Sequence, residues 1–174
     1  MRGQTAVILG LARQGVALAR YLSGHGVSVR ASDLRPNDAL GPELKALGEY
    51  QLDFVLGEHP QSLLDGADIV FVSSGVPADI PLLQQARERG IPLSNDSQLF
   101  LEKAPCKVVG VTGSAGKTTA TLLAGRMAAA CGRFRRVWVG GNMGNPLLAD
   151  VHRMTSKDVA IMELSSFQLE IMTT

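Results

Sequence analysis

Short apolar runs alternate with segments of helical spacing along most of this sequence. Residues 5–9 (TAVIL) form such a run, helical spacing follows over 14–23, and 27–31 begins the same pattern again. Apolar runs without polar alternation are typical of strands buried on both faces, and a helix after each strand supplies that cover. The sequence therefore predicts an α/β fold built on a mainly parallel sheet.

The pattern continues along the sequence with one interruption. Further strands are predicted at 50–56, 68–72, 107–111, 137–139 and 158–162, and further helices at 42–47, 81–89, 116–131 and from 165 onward, with another that is capped within 95–97 and runs to 102. The alternation pauses around 94–105, where Pro105 ends a helix. We therefore predict two domains, 1–102 and 103–174, and we expect the second to be incomplete because only three strands are recognisable in it.

Charge and composition exclude several classes of protein. The chain carries 17 Lys and Arg against 16 Asp and Glu, a net charge of +1, which predicts no nucleic-acid partner and no anionic membrane surface. No apolar run approaches the roughly 20 residues of a membrane-spanning helix. Gly10 and Gly15 interrupt the N-terminal run that a signal peptide would need. Cys106 and Cys131 are too few for a disulfide framework and favour a reduced, cytoplasmic protein.

The most informative motif is GVTGSAGKTT, residues 110–119, between a predicted strand and a predicted helix. Glycines allow successive backbone N–H groups to converge on phosphate oxygens, and the N-terminus of the helix adds a positive dipole. In such a loop Lys117 reaches the terminal phosphates and the Thr118 hydroxyl binds Mg²⁺. Val111 replaces the first glycine of the strict motif, and an ordinary glycine turn is the alternative. The candidate nucleotide-binding residues are Gly113, Ser114, Ala115, Gly116, Lys117, Thr118 and Thr119.

A weaker glycine motif follows the first strand. Gly10, Ala12 and Gly15 resemble a dinucleotide-binding fingerprint in which alanine replaces the middle glycine. Asp33 lies 33 − 15 = 18 residues after Gly15, at the end of the second predicted strand, where an acid that binds ribose is expected. Tight packing of the strand against the helix, without any ligand, explains the same residues equally well.

Two polar residues of the second predicted domain complete the candidate catalytic set. Glu163 ends the last predicted strand, and a carboxylate at the carboxyl end of a parallel strand near a phosphate loop is placed to hold Mg²⁺. Asn142 lies in the turn GGNMGNP and can donate to a phosphate or an acyl oxygen. With Lys117 they are the predicted catalytic residues. We interpret His25, His59 and His152 as structural residues, because they lack metal-ligand spacing. Leu123 and Met127 are predicted to be core residues.

Together these residues resemble the Mur ligases of peptidoglycan synthesis, and most closely the members that add D-glutamate. The most specific segments are 110–119, 140–146 (GGNMGNP) and 163–170 (ELSSFQLE). In the first predicted domain, 33–35 (DLR) and 73–76 (SSGV) are similar to the uridine-diphosphate site of those members. The resemblance implies a Rossmann-like first domain that holds a UDP-sugar, followed by an incomplete P-loop ATPase-type domain.

The resemblance also implies a reaction. ATP and Mg²⁺ would activate the carboxylate of UDP-N-acetylmuramoyl-L-alanine as an acyl phosphate, and the amine of D-glutamate would then displace phosphate. Thr118 and Glu163 would hold the metal, in an enzyme that is a monomer at full length. The implied substrate-binding residues are Gly10, Leu11, Asp33, Arg35, Ser73, Gly75, Asn142, Ser165 and Gln168.

Departures from the family pattern leave alternatives open. Ala115 stands where the family usually has Asn, and Ser74 where the D-glutamate-adding members often have Pro. The family's C-terminal domain, its metal-binding His and its carbamylated Lys have no counterpart, so we expect no useful ligase activity from this chain alone. The alternatives are a Mur ligase of another amino-acid specificity, an NAD(P)-dependent oxidoreductase that uses the first domain, and a nucleotide-binding switch.

Overall fold

In the computed structural model, which describes residues 1–173, the chain forms two compact units. The first comprises Met1–Asp96 together with Ile171–Thr173, and the second comprises Ser97–Glu170. The division falls at the start of a helix, six residues before the predicted boundary at 102/103. That helix, α4 (Asp96–Lys103), therefore lies almost entirely in the second unit.

The first unit is a five-stranded parallel sheet in the order β3-β2-β1-β4-β5. The strands are β1 (Thr5–Leu9), β2 (Ser28–Asp33), β3 (Asp53–Leu56), β4 (Ile69–Val72) and β5 (Leu93–Ser94), and the helices are α1 (Arg13–Gly24), α2 (Gly41–Leu47) and α3 (Pro81–Glu88). This is the strand order of a Rossmann-like half-sheet, so the predicted α/β class is confirmed. The order reverses between β1 and β4, and ligands bind at the carboxyl ends of the strands beside such a reversal.

The core of the first unit follows from the apolar strands. Val7, Leu9 and Val70 are fully buried, and they pack with Leu83 of α3. Each such side chain contributes about 1.5–3 kcal/mol by leaving water. Strands without polar alternation can therefore occupy only the middle of the sheet, and β1 does so between β2 and β4.

The second unit is a three-stranded parallel sheet in the order β6-β8-β7. Its strands are β6 (Lys107–Val111), β7 (Val137–Gly141) and β8 (Val159–Glu163), and its helices after α4 are α5 (Lys117–Ala130) and α6 (Ser166–Ile171). All five residues of the central strand β8 are buried. The register places Glu163 between Val111 and Gly141, so the segments that follow β6 and β7 flank its side chain.

A buried carboxylate anchors the start of β8. Asp158 accepts hydrogen bonds from the Arg135 guanidinium at 2.7 Å, from Trp138 Nε1 at 3.1 Å and from the Thr155 N–H at 3.0 Å. The Arg135 hydrogen bond holds the pKa of Asp158 well below its usual range. The strand that carries Glu163 therefore begins at a fixed point.

Several details differ from the sequence-based expectations. The two-residue strand β5 and three short 3₁₀ helices at Asn37–Leu40, Gln61–Leu64 and Leu147–Arg153 were not predicted, because they are too short to show a period. The prediction that Leu123 and Met127 are core residues is wrong for this structure, in which they are 52% and 72% exposed. Among residues 1–173, no helix is long and apolar enough to span a bilayer.

Candidate functional site

In the first unit, the glycine motif forms a tight turn between β1 and α1. Gly10 has φ +87°, which favours glycine, and its carbonyl accepts a hydrogen bond from Ser73 Oγ at 2.8 Å. A Cβ on Gly15 would collide with that same carbonyl, so only glycine lets α1 approach the turn this closely. No side chain caps the N-terminus of α1, and a helix start of this kind after a glycine turn is a typical anion-binding position.

Asp33, at the end of β2, is held by four hydrogen bonds. Its Oδ2 accepts from the Leu11 N–H at 2.7 Å and from Arg35 Nη2 at 3.0 Å, and its Oδ1 accepts from the Arg35 N–H at 2.9 Å and from Arg35 Nε at 3.0 Å. Burial alone raises the pKa of the Asp33 carboxyl, but the hydrogen bonds from Arg35 and Leu11 outweigh it and lower the pKa to about 2. Arg35 is paired with Glu43 as well, at 3.1 Å.

A cavity of about 260 Å³ lies at the carboxyl ends of these strands. It brings together five of the six candidate substrate-binding residues of the first unit. The sixth, Leu11, has a buried side chain and donates its backbone N–H to Asp33. The lining residues are Gly10, Ala12, Asp33, Leu34, Arg35, His59, Ser73, Gly75, Val76, Pro77 and Ile80.

His59 lines this cavity although the sequence analysis interpreted it as structural. Its Nδ1 lies 2.7 Å from Ser32 Oγ, and burial lowers its pKa against the opposing effects of Asp33 and the Glu58 carbonyl. The signal that points to His59 is its position just after β3, since ligands of parallel sheets bind beyond the carboxyl ends of the strands.

In the second unit, residues 112–116 connect β6 to α5 as an exposed loop. Gly116 precedes α5 with φ +74°, and no side chain caps the helix. Its first N–H groups are thus open to a ligand. The Lys117 ammonium donates to the Gly113 carbonyl at 2.9 Å, which folds the side chain back over the loop.

Thr118, Glu163 and Asn142 form one hydrogen-bonded cluster. The Thr118 hydroxyl donates to Glu163 Oε2 at 2.8 Å, and Asn142 Nδ2 donates to Glu163 Oε1 at 3.3 Å. The Asn142 N–H also donates to the Glu163 carbonyl at 2.8 Å. A Cβ on Gly141 would collide with that carbonyl, so glycine is required for this close approach.

The donor set of this cluster suits Mg²⁺. Glu163 is 3% exposed, and no Lys or Arg side chain within residues 1–173 forms an ion pair with it. A buried carboxylate without a cationic partner is costly, and a hard cation that takes oxygen ligands would offset that cost. No group of three or more His, Cys, Asp or Glu side chains in the described chain could hold a metal alone, so a magnesium ion here would need phosphate and water ligands as well.

Ser165 and Gln168 lie together but bond internally. Gln168 Oε1 accepts from the Ser165 N–H at 2.9 Å, and Gln168 Nε2 donates to Ser97 Oγ at 2.7 Å. Gln168 is 2% exposed. In this structure its amide joins the start of α6 to α4, and Ser165 is the more accessible of the two predicted ligands.

Comparison with known proteins identifies relatives along nearly the whole chain. A family profile described as Mur ligase MurD-like, N-terminal domain, matches residues 4–95. UDP-N-acetylmuramoylalanine–D-glutamate ligase of Geobacter metallireducens is 40% identical over 168 residues, which is 97% of this chain and 37% of that protein. The protein of the same name from Pseudomonas syringae pv. tomato is 44% identical over 168 residues, 94% of this chain and 36% of that one. The chain thus spans little more than a third of the length of these relatives.

Solved structures share the fold. UDP-N-acetylmuramate-alanine ligase MurC from Thermotoga maritima superposes with a TM-score of 0.53 at 20% identity, over 93% of this chain and 37% of that one. A pseudomurein peptide ligase type C from Methanothermus fervidus superposes with a TM-score of 0.51 at 24% identity, over 94% of this chain and 33% of that one.

Proposed function

Because this chain belongs to the MurD-like group of the Mur ligase family, we propose that it carries the UDP-substrate site and part of the ATP site of a D-glutamate-adding ligase. The observation that carries the proposal is the cluster of Thr118, Asn142 and the buried Glu163 beside a glycine loop. The relatives named above as D-glutamate ligases supply the substrate class.

We propose that the second unit, in the family's P-loop ATPase-type domain, binds ATP. Residues 113–119 would surround the phosphates with N–H groups, and Lys117 would exchange its contact with the Gly113 carbonyl for the terminal phosphates. Thr118 and Glu163 would hold Mg²⁺, which would neutralise phosphate charge. Asn142 would orient the acceptor substrate.

The first unit would hold the uridine-diphosphate end of the substrate in its cavity. The diphosphate fits the uncapped N-terminus of α1 after Gly10, and the nucleoside fits the side where Asp33 and Arg35 end β2. Ser73 acts here by fixing the Gly10 carbonyl.

The chemistry that this arrangement supports is amide-bond formation through an acyl phosphate. A substrate carboxylate attacks the γ-phosphorus of ATP, ADP leaves, and the amine of D-glutamate then displaces inorganic phosphate from the acyl carbon. Two anions must meet in the first step, so Lys117 and the loop N–H groups would screen their repulsion. We place the reaction in the cytoplasm, in agreement with the free thiols of Cys106 and Cys131, and we propose a monomeric enzyme.

Titration calorimetry of the chain with UDP-N-acetylmuramoyl-L-alanine and, separately, with Mg²⁺-ATP tests the proposal. We expect both to bind. Lys117→Ala should weaken ATP binding at least about tenfold, because a charge-assisted contact to phosphate is lost. Lys107→Ala, at the opposite end of β6, is the matched control and should leave both affinities unchanged.

The same titrations, together with a fluorescence measurement with NADH, separate the alternative functions. A folded chain that binds ATP but no UDP-substrate at millimolar concentration would contradict the ligase assignment and favour a nucleotide switch. Enhanced NADH fluorescence on mixing would favour an oxidoreductase.

A further inference from the structure

We infer that the second unit carries an interaction surface for an acidic polypeptide, at the end of its sheet opposite the glycine loop. The inference goes beyond the proposed function, because this end of the sheet takes no part in the proposed binding of ATP or of the UDP-substrate. We call the surface the basic edge, and it consists of Lys107, Arg133, Arg135, Arg136, Arg153 and Lys157.

The first observation is an uneven distribution of charge along the chain. Residues 103–157 contain nine Lys and Arg but one Asp, and residues 103–149 contain no Asp or Glu. The rest of the chain contains eight Lys and Arg against fifteen Asp and Glu. The net charge of +1 therefore conceals a strongly basic segment, and charge concentrated in this way produces a local field that attracts partners of opposite sign.

The topology of the second unit gathers these cations at one edge of its sheet. Lys107 is the first residue of β6, Arg136 directly precedes β7, and Lys157 lies two residues before β8. The strands are parallel and their first residues are in register, so their amino ends share an edge. The Arg135 N–H donates to the Lys157 carbonyl at 2.9 Å, which joins two of the segments that lead into the strands. Lys117 follows the opposite end of β6, and the two ends of a five-residue strand are roughly 13 Å apart.

Arg133 and Arg153 reach the same edge from the connecting segments. Arg133 lies between the end of α5 and the start of β7. The Arg153 carbonyl accepts from Arg135 Nη2 at 3.2 Å, which places the end of the third 3₁₀ helix beside the start of β7. All six residues of the basic edge are exposed.

Four of the six cations are not neutralised by the described chain. Arg135 pairs with the buried Asp158 at 2.7 Å, and Arg153 pairs with Asp150 at 2.9 Å. The members of the basic edge that form no ion pair within residues 1–173 are Lys107, Arg133, Arg136 and Lys157. Their charges are therefore available to carboxylates of a partner.

Arg136 is held in place without losing its charge. Its guanidinium carbon lies 3.9 Å from the centroid of the Trp138 ring, and that of Arg153 lies 5.6 Å from the same centroid. The ring is itself fixed, because Trp138 is 6% exposed and its Nε1 donates to Asp158 at 3.1 Å. A guanidinium ordered by a ring loses less freedom on binding than a mobile one, and its planar fork matches a carboxylate.

The side chains of the basic edge favour carboxylates over other polyanions. Proteins that bind single-stranded nucleic acid stack bases on accessible aromatic rings, and helices that lie on membranes insert apolar side chains. The Trp138 ring is buried with Arg136 over it, and within the described chain neither 133–137 nor 153–157 exposes a large apolar side chain. A surface that presents cations without such groups, several of them guanidinium forks, matches the Asp and Glu side chains of a polypeptide.

Fluorescence anisotropy of a fluorescein-labelled oligoglutamate, titrated with the whole 174-residue chain, tests this inference. We expect binding that weakens as salt is raised, because exposed charges are screened. The double variant Arg136→Glu with Lys157→Glu should bind at least about tenfold more weakly, because like charges then face each other. The matched control is Arg20→Glu with Lys45→Glu, which changes the net charge equally at exposed positions of α1 and α2 and should bind as the wild type does.

A second double variant controls for loss of the fold. Lys107→Glu with Lys157→Glu leaves the contact between Arg136 and Trp138 intact and should show the same loss of affinity. Lys117→Ala should bind the peptide as the wild type does, because the glycine loop lies at the other end of the sheet. Circular dichroism and a thermal melt establish that each variant is folded.

Several results would overturn the inference. A folded wild-type chain that binds no oligoglutamate at low salt is one, and equal affinity in the wild type and both basic-edge variants is another. An equal loss in the first-unit control would show that net charge, not the basic edge, explains the binding. Tighter binding of duplex DNA or of phosphatidylglycerol vesicles than of the peptide would show that the basic edge recognises phosphates instead. None of these measurements uses ATP or a uridine nucleotide, so their outcome is independent of the proposed function.

Discussion

At the residue scale, Glu163 is a buried carboxylate that forms no ion pair with a Lys or Arg side chain of the described chain. Glu163→Gln keeps the shape and an acceptor for the Thr118 hydroxyl but removes the charge. We expect the Mg²⁺-dependent part of ATP binding to fall about tenfold, while thermal stability stays equal or rises because no buried charge remains to be desolvated. A fluorescent ATP analogue titrated with and without Mg²⁺ measures the first effect, and a thermal melt measures the second.

Glu170→Gln, on the exposed part of α6, is the matched control and should change neither quantity. If ATP binding by Glu163→Gln depended on Mg²⁺ as it does in the wild type, Glu163 would not be a ligand of the proposed metal site.

A second prediction at the residue scale concerns Asp33 and the stability of the folded chain in acid. Its pKa is about 2 in the folded chain against 3.8 as the reference, so its contribution to the free energy of unfolding is present above pH 3.8 and is lost as the pH falls toward 2. The loss is at most about 2 kcal/mol, because Arg35 is 42% exposed and water screens the pair. Urea unfolding at several pH values should show it, and Asp33→Asn should abolish that part of the pH dependence.

Asp65→Asn is the control for Asp33, because Asp65 pairs with Arg89 on the surface at 70% exposure and should change the acid profile little. An Asp33→Asn variant with the acid profile of the wild type would contradict the role given to this carboxylate.

At the element scale, the first strand–turn–helix unit depends on close approach of α1 to the turn. Gly15→Ala would place a Cβ against the Gly10 carbonyl, so either the turn or the helix must shift. We expect a loss of about 1–3 kcal/mol in the free energy of unfolding, together with weaker UDP binding. Gly24→Ala, at the other end of α1 with open space around it, should be neutral or slightly stabilising by denaturant unfolding. Equal free energies of unfolding for the two variants would show that the turn accommodates a Cβ at position 15 more easily than this geometry predicts.

At the scale of the whole molecule, apolar side chains of α5 are exposed in the second unit. Leu123 and Met127 are one turn apart and 52% and 72% exposed, so they lie on one face of the helix. We expect the isolated chain to bind a hydrophobic fluorescent dye, and the double variant Leu123→Lys with Met127→Lys to lose most of that signal. Arg126→Lys, also exposed on α5, is the control. An unchanged signal in the double variant would place the dye elsewhere.

The order of strands and helices and the positions of both glycine motifs were predictable from sequence because these features are local. A buried strand and an amphipathic helix each show their own period, and a glycine turn shows its residue types. The sequence thus determined the α/β class and the proximity of Lys117, Thr118 and Glu163 to one loop, since the carboxyl ends of parallel strands share an edge.

Only the tertiary structure decided which of these polar groups are free to act. Asp33 is hydrogen-bonded to Arg35, Gln168 to Ser97, and His59 to Ser32 beside the cavity. Ser97 and Gln168 are 71 positions apart, and Ser32 and His59 are 27 apart. Pairings over such separations depend on how whole elements pack. The same holds for Leu123 and Met127, whose spacing predicts burial but whose exposure depends on what packs against α5.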